Sequence, residues 1–157
     1  MSTRRRRATH QPLELTFLFD LYATAQLAIT LSDEAVAPYG VADGFAALSV
    51  IRAEGPLTPT DLAHRLGVSP TTMSGLVRRL RRRGLVLQLP NPHDGRSYLL
   101  ALSAGGKRAL TRAGPAFRAL LRRVEGNLDV PVDDVREALA SLEAALRRTD
   151  EQHERSA

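Results

Sequence analysis

The stretch that decides the fold reads TPTDLAHRLGVSPTTMSGLVRRLRRRG and occupies residues 58–84. It holds two helical patterns, and Gly67 between them suits a tight turn. The inner face of the first pattern consists of Leu62, Ala63 and Leu66. The inner face of the second repeats at helical spacing as Met73, Leu76, Val77 and Leu80. The spacing therefore predicts a helix-turn-helix over 59–83, in which Ala63 stays small because the second helix crosses close to it.

The second helix of this unit keeps small, hydroxylated and basic side chains on its outer face. Ser69 is a natural N-cap and Pro70 suits the first helical position. A helix end without acids can enter a major groove of DNA, where hydroxyls and arginines reach base edges and phosphates. We expect major-groove contacts from Ser69, Thr71, Thr72, Ser74, Gly75, Arg78 and Arg79. Phosphate contacts are expected from Thr58, Thr60, Arg65 and Arg82.

Gly75 and the arginines over 81–83 each allow two interpretations. Gly75 costs about 1 kcal/mol of helix stability relative to alanine, so close approach to DNA or packing against a neighbouring helix must explain it. The arginines over 81–83 suit either phosphate contact or a solvated helix end that is favourable to the helix dipole.

A hairpin follows the second helix and completes a wing over 85–102. Strands are predicted over 85–89 and 96–102, joined by the turn cluster PNPHDG at 90–95. The tip can lie along a minor groove, whose negative potential attracts the guanidinium of Arg96. We expect Asp94 to hold that guanidinium by a charge-assisted pair, unless it is an ordinary turn aspartate.

Longer helices flank this unit, and the predicted fold class is mainly α (α+β). We expect a basic arm over 1–11, helices over 12–36 and 41–54, a very short strand at Leu57, and a helix over 104–126 interrupted at Gly114-Pro115. A last helix is predicted over 132–149, and residues 151–157 form a polar tail. The apolar surface of the first helix is wider than a monomeric surface helix needs, which a second partner surface would explain.

The charge distribution supports binding to a polyanion. The chain has 157 residues and a net charge of +5. Residues 56–112 carry ten basic residues against Asp61 and Asp94, a net charge of +8, whereas residues 13–55 carry −5. The DNA-binding lobe is therefore expected over 41–103.

The stretch 57–110 resembles the MarR family of winged-helix regulators. The resemblance rests on Leu57-Thr58, Asp61-Leu62-Ala63, Leu66-Gly67-Val68-Ser69, Leu76-Val77, Leu80 and Gly84-Leu85-Val86, then on Asp94-x-Arg96, Leu100-x-Leu102-Ser103 and Gly106. It implies a winged helix-turn-helix in an obligate homodimer, with dimerisation helices over 12–40 and 104–150. It also implies binding to a palindromic double-stranded DNA operator. Such a regulator is commonly a repressor that leaves the operator when it binds a small aromatic or phenolic effector. Arg96 would be the minor-groove residue of the wing and Asp94 its partner, whereas Gly95 departs from the basic residue of many relatives.

Other classes of function fit the sequence less well. No Ser/His/acid or paired-carboxylate arrangement indicates an enzyme, and no cofactor is expected. The four histidines lack ligand spacing and the chain has no cysteine, so neither a metal site nor a metal-responsive regulator is favoured. A winged-helix protein-interaction module that never touches DNA stays an alternative, although the basic middle argues against it.

The sequence indicates the location of the protein and its ligand only in outline. The most apolar stretch, 13–31, contains Glu14 and Asp20, so no membrane span is expected. The chain is expected to be cytoplasmic and nucleoid-associated. Ligand-binding residues are not assigned, although four aromatic residues suit a cavity: Tyr22, Tyr39, Phe45 and Phe117.

Overall fold

The structure, a computed structural model, describes residues 16–155. The predicted basic arm over 1–11 and the start of the first helix lie outside the described residues. The helices are α1 (Thr16–Val36), α2 (Phe45–Glu54), α3 (Pro59–Leu66), α4 (Pro70–Arg82), α5 (Ala104–Gly126) and α6 (Val132–Glu154). The strands are β1 (Val86–Pro90) and β2 (Tyr98–Leu102). The predicted fold class, mainly helical with a winged helix-turn-helix, is confirmed.

Local capping chemistry sets the bounds of α3 and α4. The hydroxyl oxygen of Thr58 accepts the Asp61 backbone N–H at 3.1 Å, and that of Ser69 accepts the Thr72 backbone N–H at 3.1 Å. Between the two helices, Gly67 has a φ of 63°, which a side chain would strain. The turn predicted from the sequence is therefore present.

The wing is a two-stranded antiparallel sheet. Its register pairs Val86 with Leu102 and Pro90 with Tyr98. An isolated bridge joins Leu57 to Leu100, which confirms the very short strand expected at Leu57. These pairings attach the base of the wing to the segment that leads into α3.

The core of the lobe lies where α2, α3 and α4 meet the wing. Its largest fully buried side chains are Val36, Val41, Leu48, Leu62, Met73, Leu80 and Leu100. The inner faces predicted for α3 and α4 are buried at Leu62, Ala63, Met73, Val77 and Leu80. Burying one large apolar side chain contributes about 1.5–3 kcal/mol, so this cluster fixes the rotation of α4 about its axis.

A single hydroxyl joins three elements at the base of the wing. Ser103 donates to the carbonyl oxygen of Gly84 at 2.6 Å and accepts the backbone N–H of Gly106 at 2.9 Å. The backbone N–H of Ser103 donates to the carbonyl oxygen of Leu85 at 3.1 Å. The end of β2, the segment after α4 and the first turn of α5 are thereby linked.

Three helices and both strands differ from the prediction: β1 lies one residue later than 85–89, and β2 begins at Tyr98 rather than at residue 96. α5 runs without a break from Ala104 to Gly126, so the expected interruption at Gly114-Pro115 was wrong. Proline removes one backbone hydrogen bond but need not end a helix, and Pro115 is exposed and follows the buried Ala113. α6 continues to Glu154 into the predicted polar tail, since polar side chains do not themselves end a helix.

α2 also begins later than the predicted residue 41. A short 3-10 helix occupies Ala37–Tyr39, and Gly40 follows it with a φ of 70°. Gly44 caps α2 with a φ of 128°, so the intervening residues form a loop.

The described residues divide into two compact units, with the division between Ala116 and Phe117. In the first unit, α1 exposes Phe17, Leu18, Phe19, Tyr22, Leu27, Ile29 and Leu31. In the second, the exposed large apolar residues are Leu121, Val124, Val130, Leu139 and Leu146. No helix among residues 16–155 is long and apolar enough to cross a membrane.

Candidate nucleic-acid interface

The N-terminal end of α4 presents the hydroxylated residues predicted to enter a groove. Thr71 and Ser74 are exposed, and Gly75 is half-buried. The hydroxyls of Ser69 and Thr72 lie 2.9 Å apart and are hydrogen-bonded to each other. Ser69 and Thr72 therefore serve the helix cap as well as facing solvent.

A basic cleft separates α4 from the wing. It measures about 520 Å³ and is lined by Ser74, Val77, Arg78, Arg81, Arg82 and Tyr98. Three arginines of this cleft are exposed: Arg78, Arg81 and Arg82. None of them has a carboxylate within ion-pair distance among residues 16–155. Three uncompensated guanidinium groups on one helix suit a phosphate backbone.

Two other predicted contact residues have acidic partners within the protein. Arg65 lies 3.0 Å from Glu54, between Nη2 and Oε2. Arg79 donates from Nε to Oδ2 of Asp43 at 2.7 Å and from Nη2 to Oδ1 at 3.0 Å. The sequence did not predict either pairing.

The ion pair between α4 and the loop before α2 holds both groups charged. The hydrogen bond from Arg79 lowers the pKa of Asp43, against the effect of its partial burial. The same bond raises the pKa of the Arg79 guanidinium. Asp43 is therefore an ionised carboxylate at neutral pH.

The wing tip is ordered by short-range hydrogen bonds to the backbone and between side chains. Oδ1 of Asn91 accepts the His93 N–H at 3.0 Å, and its Nδ2 donates to the Ser97 hydroxyl at 2.6 Å. Oδ1 of Asp94 accepts the backbone N–H of Arg96 at 2.9 Å. This is an Asx-type turn contact.

The expected pair between the Asp94 carboxylate and the Arg96 guanidinium is not formed among the described residues. Asp94 is occupied by the turn because its short side chain reaches the backbone two residues on. It shapes the tip, whereas the guanidinium of the exposed Arg96 remains available for a partner.

The start of α3 and the wing tip lie side by side. They enclose an open cavity of about 490 Å³ lined by Thr58, Pro59, Thr60, Asp61, Asn91, Asp94, Arg96, Ser97 and Tyr98. The hydroxyl of Thr58 donates to Oδ2 of Asp61 at 2.7 Å, so this predicted phosphate contact also belongs to the cap of α3. Four predicted site residues, Thr58, Thr60, Asp94 and Arg96, thus share one surface.

Sequence reasoning missed Asp43 and Tyr98. Asp43 lies 36 residues from Arg79 in the chain, so no local spacing rule connects them. Tyr98, two residues after Arg96 on the wing, lines both the basic cleft and the cavity at the tip. No group of three or more histidine, aspartate or glutamate side chains suited to a metal ion occurs within 16–155.

Comparison with known proteins places these elements among regulators of transcription. A sequence profile of the MarR family matches residues 45–97, from the start of α2 to the wing tip. An HTH-type transcriptional regulator of Mycobacterium bovis, itself uncharacterised, is 32% identical over 100 residues, covering 64% of this chain and 70% of that protein. The transcriptional repressor NicR of Pseudomonas putida is 31% identical over 85 residues, 54% of each protein.

A solved structure shows the same architecture over most of the chain. The crystal structure of the transcriptional regulator MosR of M. tuberculosis in complex with DNA matches with a TM-score of 0.74 and 28% identity. The match covers 84% of this chain and 96% of MosR.

Proposed function

Since this chain belongs to the MarR family of winged helix-turn-helix transcriptional regulators, we propose that it represses transcription by binding a palindromic DNA operator as a homodimer. It is a DNA-binding regulator of transcription, and this family and fold are those of regulators rather than of enzymes. The similar protein NicR is named a repressor, which supports that sign of regulation.

The observation that carries the proposal is the basic cleft beside an acid-free helix end. Arg78, Arg81 and Arg82 bring uncompensated positive charge to the outer face of α4. Phosphate contacts fix the register of a protein on a duplex, and side chains in the groove then read the bases. We assign phosphate contacts to Thr58, Thr60, Arg65 and Arg82.

Sequence readout is assigned to the front of α4 and to the wing. Ser69, Thr71, Thr72, Ser74, Gly75, Arg78 and Arg79 face the major groove in this proposal. Arg96 enters the adjacent minor groove, and Asp94 shapes the tip that carries it. Hydroxyls and guanidinium groups are suited to base edges and phosphates, and none of these side chains is buried.

The proposal is tested by selecting duplexes from a random pool with the protein and measuring binding against salt. Each phosphate contact adds about −0.9 to the slope of log affinity against log salt concentration. We expect a selected duplex to survive competitor DNA and to contain two inverted half-sites. A flat salt dependence, or failure to select any sequence, would contradict DNA-binding regulation by this surface.

Arg96→Ala is expected to weaken binding to the selected duplex by about 1–3 kcal/mol, because the wing loses its only guanidinium. The melting temperature should not change, since the fold uses the backbone N–H of Arg96 rather than its side chain. Arg96→Lys is the matched control, because it keeps the charge and removes only the planar donor group. Unchanged affinity for Arg96→Ala would remove the wing from the interface.

A homodimer is supported by the apolar surface that each unit leaves exposed. Phe19 and Tyr22 of α1 are 66% and 63% exposed, and Leu139 of α6 is 54% exposed. Apolar surface of this extent marks an interaction site in a water-soluble protein. We propose a second copy of the chain as the occupant, with the dimerisation region over 12–40 and 104–150, because a two-fold dimer matches a palindromic operator.

Leu139→Glu is expected to shift the dimer to monomer at micromolar concentration, because the carboxylate would be buried without a partner in the interface. Ser141→Glu adds the same charge to the opposite side of α6 and is expected to leave the dimer intact. Analytical ultracentrifugation distinguishes the two variants. A dimeric Leu139→Glu protein would exclude this face of α6 from the interface.

A small anionic aromatic effector is proposed for a cavity of about 560 Å³ in the first unit. Its lining is Tyr39, Gly40, Leu85, Gly105, Lys107, Arg108, Ala109, Thr111 and Arg112. Tyr39 offers a ring, and the basic residues of α5 offer charge for a carboxylate or phenolate. The ligand is identified by adding aromatic acids one at a time to the DNA-binding assay and measuring which of them release the duplex.

A further inference from the structure

The ion pair between Asp43 and Arg79 has a side-on geometry. The carboxylate occupies Nε and Nη2 of the guanidinium, at 2.7 Å and 3.0 Å. Nη1 is left without a hydrogen-bond partner among the described residues. Both side chains stay open to solvent, at 45% exposure for Arg79 and 49% for Asp43.

The free nitrogen of this guanidinium lies over the front of α4. Nη1 is 3.5 Å from the point where a Cβ at Gly75 would stand. Gly75 and Arg79 are one helical turn apart, and side chains on a helix lean toward its N-terminus. The guanidinium therefore lies back across Gly75, on the surface assigned to the major groove.

The loop that carries Asp43 is itself held to α4. Nη2 of Arg83 donates a hydrogen bond to the carbonyl oxygen of Gly40. Gly44 has a φ of 128°, and a Cβ there would lie 2.7 Å from Cδ2 of Leu80. Asp43 thus stands between two close approaches of the loop to the helix, and its position relative to Arg79 is fixed at both ends.

We propose that Asp43 is a positioning residue for sequence readout, which orients Arg79 so that Nη1 contacts the DNA over Gly75. The inference rests on the proposed function, because it concerns the same surface of α4 that we assign to the major groove. A free arginine would bind any phosphate in reach, whereas an oriented one offers its donors in one direction. Gly75 contributes by leaving that direction open.

The proposal predicts opposite effects on two kinds of DNA. Asp43 places a negative charge beside a polyanion, so its removal strengthens binding that depends only on charge. Its removal also frees Arg79 to rotate, so binding that depends on the orientation of Nη1 is weakened. A merely structural role, or simple charge repulsion, would move both affinities in the same direction.

The experiment measures affinity for a duplex selected by the wild-type protein and for a scrambled duplex of equal length. We expect Asp43→Asn to lower affinity for the selected duplex roughly tenfold, the scale of one lost oriented contact. Its affinity for the scrambled duplex should rise. Arg79→Lys keeps the charge but not the side-on geometry, so it should lose the same specificity, and the double variant should lose little more.

Each alternative result overturns the assignment in a distinguishable way. If Asp43→Asn raises both affinities alike, Asp43 is only a repulsive surface charge. If Arg79→Lys leaves the ratio of the two affinities unchanged, Arg79 does not contribute to readout. Thermal melting shows whether Asp43→Asn has a folding defect, which we do not expect because both side chains of the pair are exposed. If the variant is defective, the affinities of Arg79→Lys for the two duplexes test the proposal instead. Failure of the wild-type chain to select any duplex would refute the proposed function itself, and the inference with it.

Discussion

Gly106→Ala is expected to destabilise the lobe by about 3 kcal/mol or more, the upper end of what overpacking costs. A Cβ at this position would overlap the carbonyl oxygen of Leu85 and lie 3.1 Å from its carbonyl carbon. Backbone atoms cannot rotate away as the end of a side chain can. The first turn of α5 must move instead, which would strain the hydrogen bonds that Ser103 makes to both segments.

Chemical denaturation measures this loss, and the protein concentration is held fixed so that any contribution from the proposed dimer stays constant. Gly75→Ala is the matched control, because Gly75 also lies inside a helix but its Cβ would make only an ordinary contact at 3.5 Å. That variant should gain up to about 1 kcal/mol from helix propensity. If Gly106→Ala proved as stable as the wild-type protein, the close approach of α5 to Leu85 would be wrong.

The second large effect concerns the basic cleft. Simultaneous replacement of Arg78, Arg81 and Arg82 by glutamine removes one groove contact, that of Arg78, and the charge of two arginines beside the backbone. With Arg81 and Arg82 each on a phosphate, the salt slope of DNA binding is expected to fall by about 1.8 per protomer. The same arithmetic gives a loss of affinity of roughly two orders of magnitude or more at about 0.1 M salt. All three side chains line the cleft and lack a carboxylate partner among the described residues, so each is available for a contact with DNA.

The control removes equal charge elsewhere, by replacing Arg118, Arg122 and Arg123 of α5 with glutamine. These arginines lie outside the lobe but inside the proposed dimerisation region, so sedimentation of the control variant is compared with that of the wild-type protein first. A control variant that sediments as the wild-type protein does should keep nearly the wild-type slope. Fluorescence anisotropy across a salt series gives both slopes. Equal losses in the two variants would mean that net charge, rather than the cleft, drives binding.

The parts of the fold that depend on short-range pattern were predictable from the sequence. The caps at Thr58 and Ser69, the turn at Gly67 and the buried stripe of α4 each depend on residues within one or two helical turns. The wing was equally predictable, because the turn between its strands, at 90–95, is rich in proline and glycine. The outer face of α4 followed once its inner face was assigned.

The contacts that sequence reasoning missed join residues distant in the chain, or depend on competition between local partners. No spacing rule relates Asp43 to Arg79, because the loop and helix meet only after folding. Asp94 accepts the backbone N–H of Arg96 and forms no ion pair with its guanidinium, a choice that the sequence alone does not determine. The continuity of α5 through Pro115 was missed because proline weakens a helix without determining whether the helix ends.

The hydrogen bonds of Ser103 at the base of the wing couple the positions of three elements. The hydroxyl and the backbone N–H of Ser103 join the segment after α4, the end of β2 and the first turn of α5 by hydrogen bonds. A displacement of the first turn of α5 that keeps these hydrogen bonds would have to carry the end of β2 and the segment after α4 with it.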